Sequence, residues 1–171
     1  MDLFGSSRGR AVPALVTAGV LGTVHAAFSV YWGLGGTWLV DTLGRRLVET
    51  FSGLGWVLLP VGLVKLVAAV APVLLAALDW PARRLSRTVC WSGAGVLVAW
   101  GGLNTVVGNL VLAGAIVPDD GFDRPGMVGH AYLWDPLFLL WGLALAVGLL
   151  SSRRGRVRSW RLPRSAHSPS T

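Results

Sequence analysis

Four stretches of the chain are long and apolar enough to cross a lipid bilayer, which takes about 20 mostly apolar residues. They run from about Ala11 to Leu34, Leu54 to Leu78, Thr88 to Val117 and Ala131 to Leu150. The first and third contain no Lys, Arg, Asp or Glu; the second contains Lys65 and the fourth Asp135. Polar, Gly- and Pro-rich segments separate them, as turn chemistry requires. The pattern predicts an all-α fold, a polytopic four-helix transmembrane bundle forming one domain over residues 1–150. An Arg-, Ser- and Pro-rich tail, 151–171, follows and is expected to be disordered.

The connecting segments add detail. Between the first two helices, Leu39, Leu43, Leu47 and Phe51 recur every four residues. That spacing predicts a short amphipathic helix over Trp38–Phe51, lying on the interface or capping the bundle. The segment Pro118–Gly129 is acidic and Gly-rich and reads as a turn-forming connector. Arg8 and Arg10 before an apolar run resemble a secretory signal, but the run continues to Leu34. That is too long for a signal core, so it is expected to remain as a spanning helix.

Composition agrees. Hydrophobic residues make up 53% and charged residues 13%, against about 25% charged in soluble domains. The charge is asymmetric: Arg8, Arg10, Arg83, Arg84, Arg87 and the six tail arginines fall on one side of a four-helix layout, eleven in all. Arg45, Arg46 and Arg124 fall on the other. The positive-inside rule then places both termini in the cytoplasm. The net charge of +7 is explained by this bias, and no base-stacking motif accompanies it, so no nucleic-acid partner is expected. The single cysteine, Cys90, excludes an internal disulfide and a Cys metal cluster.

The candidate chemistry lies in polar residues at membrane depth, which insert at a cost and normally face protein or water. By helix rise, His25, Lys65 and Asn104 fall near mid-depth, Asn109 about 7 Å further out, and Asp135 in the outer half. These five are expected to line a polar pocket, with Tyr31, Trp32 and Trp134 at its mouth. Lys65 and Asp135 are the natural ion pair, either functional or fixing helix register. Gly93, Gly101 and Gly108 recur at seven to eight residues and predict close helix packing. Pro60 and Pro72 are expected to free backbone carbonyls around Lys65. His130 offers a second imidazole, but with no third ligand apparent neither a metal nor a cofactor is expected.

Two motifs carry a resemblance. The first helix ends His25-Ala-Ala-Phe-Ser-Val-Tyr31-Trp32-Gly-Leu-Gly35-Gly36-Thr-Trp38. The fourth begins Gly129-His130-Ala-Tyr-Leu-Trp134-Asp135-Pro136-Leu-Phe138. Together they resemble a family of small four-helix membrane proteins common in actinobacteria, classed as a domain of unknown function. The likeness spans roughly Val12–Leu150 and implies four helices in a bacterial membrane, without an activity.

The leading expectation is a membrane protein that binds a small molecule or lipid in an outer-half pocket. A structural or accessory subunit is one alternative, and an intramembrane enzyme or redox subunit using His25 is another. The sequence leans away from an enzyme: it holds no His-Glu-x-x-His, acidic dyad or phosphate-binding glycine loop. The partners expected are the bilayer, that ligand and further copies of the chain.

Overall fold

The computed structural model describes residues 7–50 and 53–159. Among these every regular element is helical. Helix α1 covers Ser7–Gly33, α2 Arg45–Thr50, α3 Leu58–Ala77, α4 Arg83–Leu112, α5 Arg124–Gly129 and α6 Asp135–Ser159. Short 3-10 turns at Val40–Leu43 and Gly55–Val57 precede α2 and α3, and a π-helical turn, His130–Trp134, joins α5 to α6. Four spans are long and apolar enough to cross a membrane: Ala11–Gly33, Gly55–Ala77, Arg83–Leu112 and Arg124–Ser152. The four-helix, all-α expectation therefore holds. An even number of spans puts the N-terminal end of α1, the α3–α4 turn and the C-terminal end of α6 at one end of the molecule, the turn end. The segments 34–57 and 113–123 make the opposite, loop end.

Several boundaries differ from expectation. Helix α4 starts at Arg83 and ends at Leu112, about one turn earlier than expected at both ends. The fourth span begins at Arg124, and its helix continues to Ser159, past the expected start of the disordered tail at Ser151. Residues 160–171 of that tail lie outside the described residues. The amphipathic helix expected over Trp38–Phe51 is two short pieces, because Gly44 adopts φ 95° between them. Leu39 and Leu43 are half-buried and Leu47 is exposed; Phe51 lies outside the described residues.

The helices are not arranged as a closed square. Helices α1 and α6 pack together at the centre; α3 lies against α1, and α4 lies against α6. Helices α3 and α4 scarcely touch each other. Small residues set the central contacts. A Cβ on Gly101 would fall 2.5 Å from the Leu139 nitrogen and 2.6 Å from the Asp135 oxygen, so α4 approaches the α6 backbone directly. Gly108 meets Ala131 in the same seam, and Gly142 of α6 meets Leu97 and Val98. Gly93, the third member of the expected glycine row, has nothing near it and takes no part. Pro60 lies in the first turn of α3, where a missing N–H costs nothing, so only Pro72 interrupts the helix interior.

Towards the turn end the core is apolar, built from Leu15, Ala18, Ala69, Trp141, Leu145 and Leu149. One charged residue enters it. Arg87 is buried, donates to Ser152 Oγ at 2.7 Å and to the Leu149 carbonyl at 2.6 Å, and stacks over Trp80 at 5.0 Å. The turn carrying Trp80 holds Asp79, Trp80 and Ala82 at positive φ, a strained backbone for non-glycine residues. Burial of the indole and its contact with the guanidinium offset that strain.

Candidate functional site

The polar residues expected to share one pocket separate into groups on the two flanks of the α1–α6 pair. The first group forms where α1 meets α3. His25 and Ser29, one turn apart on α1, are both buried. Lys65 of α3 is half-buried, with Nζ 2.9 Å from Ser29 Oγ, 3.3 Å from His25 Nδ1 and 5.4 Å from the centre of the Phe138 ring. The His25 ring packs on Phe138 at 4.0 Å, and its Nε2 has no polar partner among the described residues.

The second group forms at the loop end, where α4 meets α5 and the π turn. Asp135 is 1% exposed, and its Oδ2 lies 2.9 Å from His130 Nδ1. His130 Nε2 lies 3.4 Å from the carbonyl oxygen of Leu43. Each ring nitrogen therefore faces an acceptor, an arrangement that only an imidazolium satisfies fully. The expected Lys65–Asp135 pair does not form: Asp135 takes His130, and Lys65 takes two neutral groups on α1. The reason is local geometry. On a regular α-helix residues five apart point about 140° away from one another. A π turn advances its hydrogen bonds by five residues and brings i and i+5 together. Pro136 explains the π turn, because it has no N–H to return to Tyr132 and so interrupts the α-helical ladder.

Beside His130 and Asp135 lies an open cleft of about 360 Å³. Asn104, Asp123, His130 and Asp135 converge on it, with Trp100, Val107 and Met127 as apolar wall. Asp123 accepts from the Arg45 N–H at 2.7 Å and faces the Arg45 guanidinium at 3.9 Å. Asn104 has no side-chain hydrogen bond among the described residues. Asn109 is not in the cleft. Its amide donates to the Thr105 carbonyl at 2.7 Å and lines a separate groove with Tyr132. Of the five expected pocket residues, Asn104 and Asp135 share this cleft, His25 and Lys65 share the opposite flank, and Asn109 belongs to neither.

Two of the expected mouth residues, Trp32 and Trp134, belong instead to a packed layer, while Tyr31 is exposed. Trp32 and Trp134 are buried, their rings 5.0 Å apart, with Phe28 5.0 Å from Trp134. Trp32 Nε1 donates to the Trp38 carbonyl at 2.9 Å, and Tyr31 Oη accepts from the Trp38 N–H at 3.2 Å. The chain after α1 thus doubles back over its own last turn. Gly35 supplies φ 90° for that reversal, and a Cβ at Gly36 would fall inside the Tyr31 ring. Trp134 Nε1 donates to Thr42 Oγ1 at 2.9 Å, fixing the 3-10 turn onto the π turn.

A family described as a protein of unknown function (DUF3995) matches residues 22–145. The chain belongs to this family. The DUF3995 match begins just before His25 and ends beyond Trp141, so it encloses both polar groups, the aromatic layer and the cleft. No curated protein and no solved structure matches the chain.

Ser29 and Lys65 stand at the separation of a nucleophile and its base. Yet Ser29 is 2% exposed and its hydroxyl also lies 3.4 Å from the His25 carbonyl, so no substrate carbonyl reaches it in this conformation. No group of three or more His, Cys, Asp or Glu side chains among the described residues is placed to hold a metal. The cleft combines open space with convergent polar groups, Asn104, Asp123, His130 and Asp135.

Sequence reasoning missed three participants. Thr42 and Asp123 sit in loops with no signal beyond turn propensity. Arg87 falls among the loop arginines in the sequence pattern, which starts α4 after it. The spacing from Arg83 and Arg84 to Arg87 places these residues on one helical turn, the one available hint.

Proposed function

We propose that this protein is a multi-pass component of a bacterial plasma membrane whose loop-end cleft binds a small polar molecule or the head group of a lipid. The cleft carries this reading. Its volume, about 360 Å³, lies in the range of small-molecule sites, and its few polar groups converge between apolar walls. Its charges are already matched, Asp135 by His130 and Asp123 by Arg45. A neutral or zwitterionic ligand suits such a site better than a net ion. The arginine bias supports both termini in the cytoplasm, which would turn the cleft outward.

A purely structural role is favoured by a different observation. His130, Thr42, Trp134 and Asp123 all use their polar atoms to hold the 40s turn against α5 and the π turn. Asn104 separates the two readings, because it lines the cleft and ties nothing down. Native mass spectrometry of detergent-purified chain is expected to show a bound small molecule or lipid that Asn104→Leu releases while the melting temperature holds. A wild-type chain with no bound species would leave the structural role as the better account.

A further inference from the structure

We infer that Lys65 anchors a second binding site, which takes the anionic head, a carboxylate or phosphate oxygen, of an amphiphile entering from the bilayer. This does not rest on the cleft, which lies on the opposite flank of the α1–α6 pair.

The ammonium has three donors, and two neutral acceptors face it, Ser29 Oγ and His25 Nδ1. Both acceptors are on buried side chains, so the Nζ position is fixed by the protein. Among the described residues no carboxylate lies within ion-pair range of it. The one carboxylate in the spans, Asp135, is held by His130. A second copy of the chain offers no remedy, because its own Asp135 would be 1% exposed in the same way. A cation at membrane depth is normally paired or set on a ligand path. An anion from outside the chain would fill the third donor.

Position selects its class. Lys65 is the eleventh residue of the 23-residue span Gly55–Ala77, about 15 Å of helix from its start and about 18 Å from its end. A free anion would have to leave water unaided to reach that depth, whereas the tail of an amphiphile offsets part of the cost of drawing its head to the cation. Lys65 is half-buried, and its neighbours Val61 and Val64 are exposed on a surface that lipid would cover. The third donor, the Phe138 ring beneath the cation and this open side together describe a lateral site for an amphiphilic anion.

The test uses the full chain in phosphatidylcholine vesicles, with tryptophan fluorescence as readout. Trp134 packs on His25, with ring centres 5.7 Å apart, and reports on the site. Two probes are added at equal mole fraction: dibromostearic acid, at a pH where it is ionised, and its methyl ester. The acid is expected to quench with an apparent affinity at least about tenfold above the ester, as a charge-assisted hydrogen bond implies. Lys65→Met should abolish that preference and Lys65→Arg should keep it, while Asn104→Leu in the cleft leaves it unchanged. A parallel arm compares brominated phosphatidylglycerol with brominated phosphatidylcholine. A preference in that arm assigns the anion to a lipid of net negative charge, whose head-group phosphate no choline balances, and one confined to the fatty acid assigns it to a free carboxylate. If neither anion is preferred by the native chain, the site does not exist, and that comparison needs no variant to fold. A preference that survives Lys65→Met, or that Asn104→Leu removes, overturns the assignment to Lys65.

Discussion

Asp135 illustrates how one side chain can be placed correctly at membrane depth and still be given the wrong partner. It is fully enclosed, and its charge is met by an imidazole five residues earlier on the same chain. Asp135→Asn keeps the shape but removes the anion that faces His130. Losing a charge-assisted hydrogen bond of this kind is expected to cost about 1–3 kcal/mol, seen as a lower melting temperature in detergent. Asp135→Leu should cost at least as much, since it also leaves His130 Nδ1 without an acceptor. The residue types and their depth were legible because charge is rare in an apolar run. The pairing was not, because it depends on which way each side chain turns about its helix, and a π turn resets that angle.

At the scale of elements, length and hydropathy mark the four spans but not how they touch. Gly101 and Gly108 belong to the α4–α6 seam, as their spacing suggested, whereas Gly93 faces open space. Gly101→Ala would push a methyl group into the α6 backbone. Overpacking of this sort is expected to cost about 1–3 kcal/mol, while Gly93→Ala should be neutral or slightly stabilising through helix propensity. Thermal unfolding of the two variants side by side checks the contrast. The π turn makes its own prediction. Pro136→Ala restores the N–H that an α-helical ladder needs, so the turn should relax towards α geometry and draw His130 away from Asp135. The side-chain NMR shifts of His130 would then resemble those of the Asp135→Asn variant. Pro136 was visible in the sequence, but its effect on the turn before it depends on whether α5 continues into α6. The acidic, Gly-rich approach at Pro118–Gly129 masked that continuity.

For the whole molecule, the arginine distribution makes the most direct prediction. Asp120 is exposed at the loop end and Arg84 is exposed near the turn end. Asp120→Cys should react with a membrane-impermeant maleimide in intact cells, and Arg84→Cys only after permeabilisation. The native Cys90 is buried and should stay silent in both. The reverse pattern would invert the orientation and turn the cleft to the cytoplasm. Helix number followed from length and hydropathy. The order in space, α3, α1, α6, α4, did not, because each helix is apolar nearly all round and nothing in its sequence marks which side meets protein.

Among the described residues, that row of helices encloses no central space between four mutually packed helices, because α3 and α4 scarcely meet. Helices α1 and α6 share their surface with two neighbours each, and α3 and α4 leave most of theirs to lipid. A solute has no axial passage through such a body, and an amphiphile bound at Lys65 would exchange sideways with the surrounding leaflet. Its occupancy would then follow its mole fraction in the membrane rather than its concentration in water. Diluting the vesicles with buffer should leave the bound fraction unchanged, whereas diluting them with plain phosphatidylcholine should empty the site.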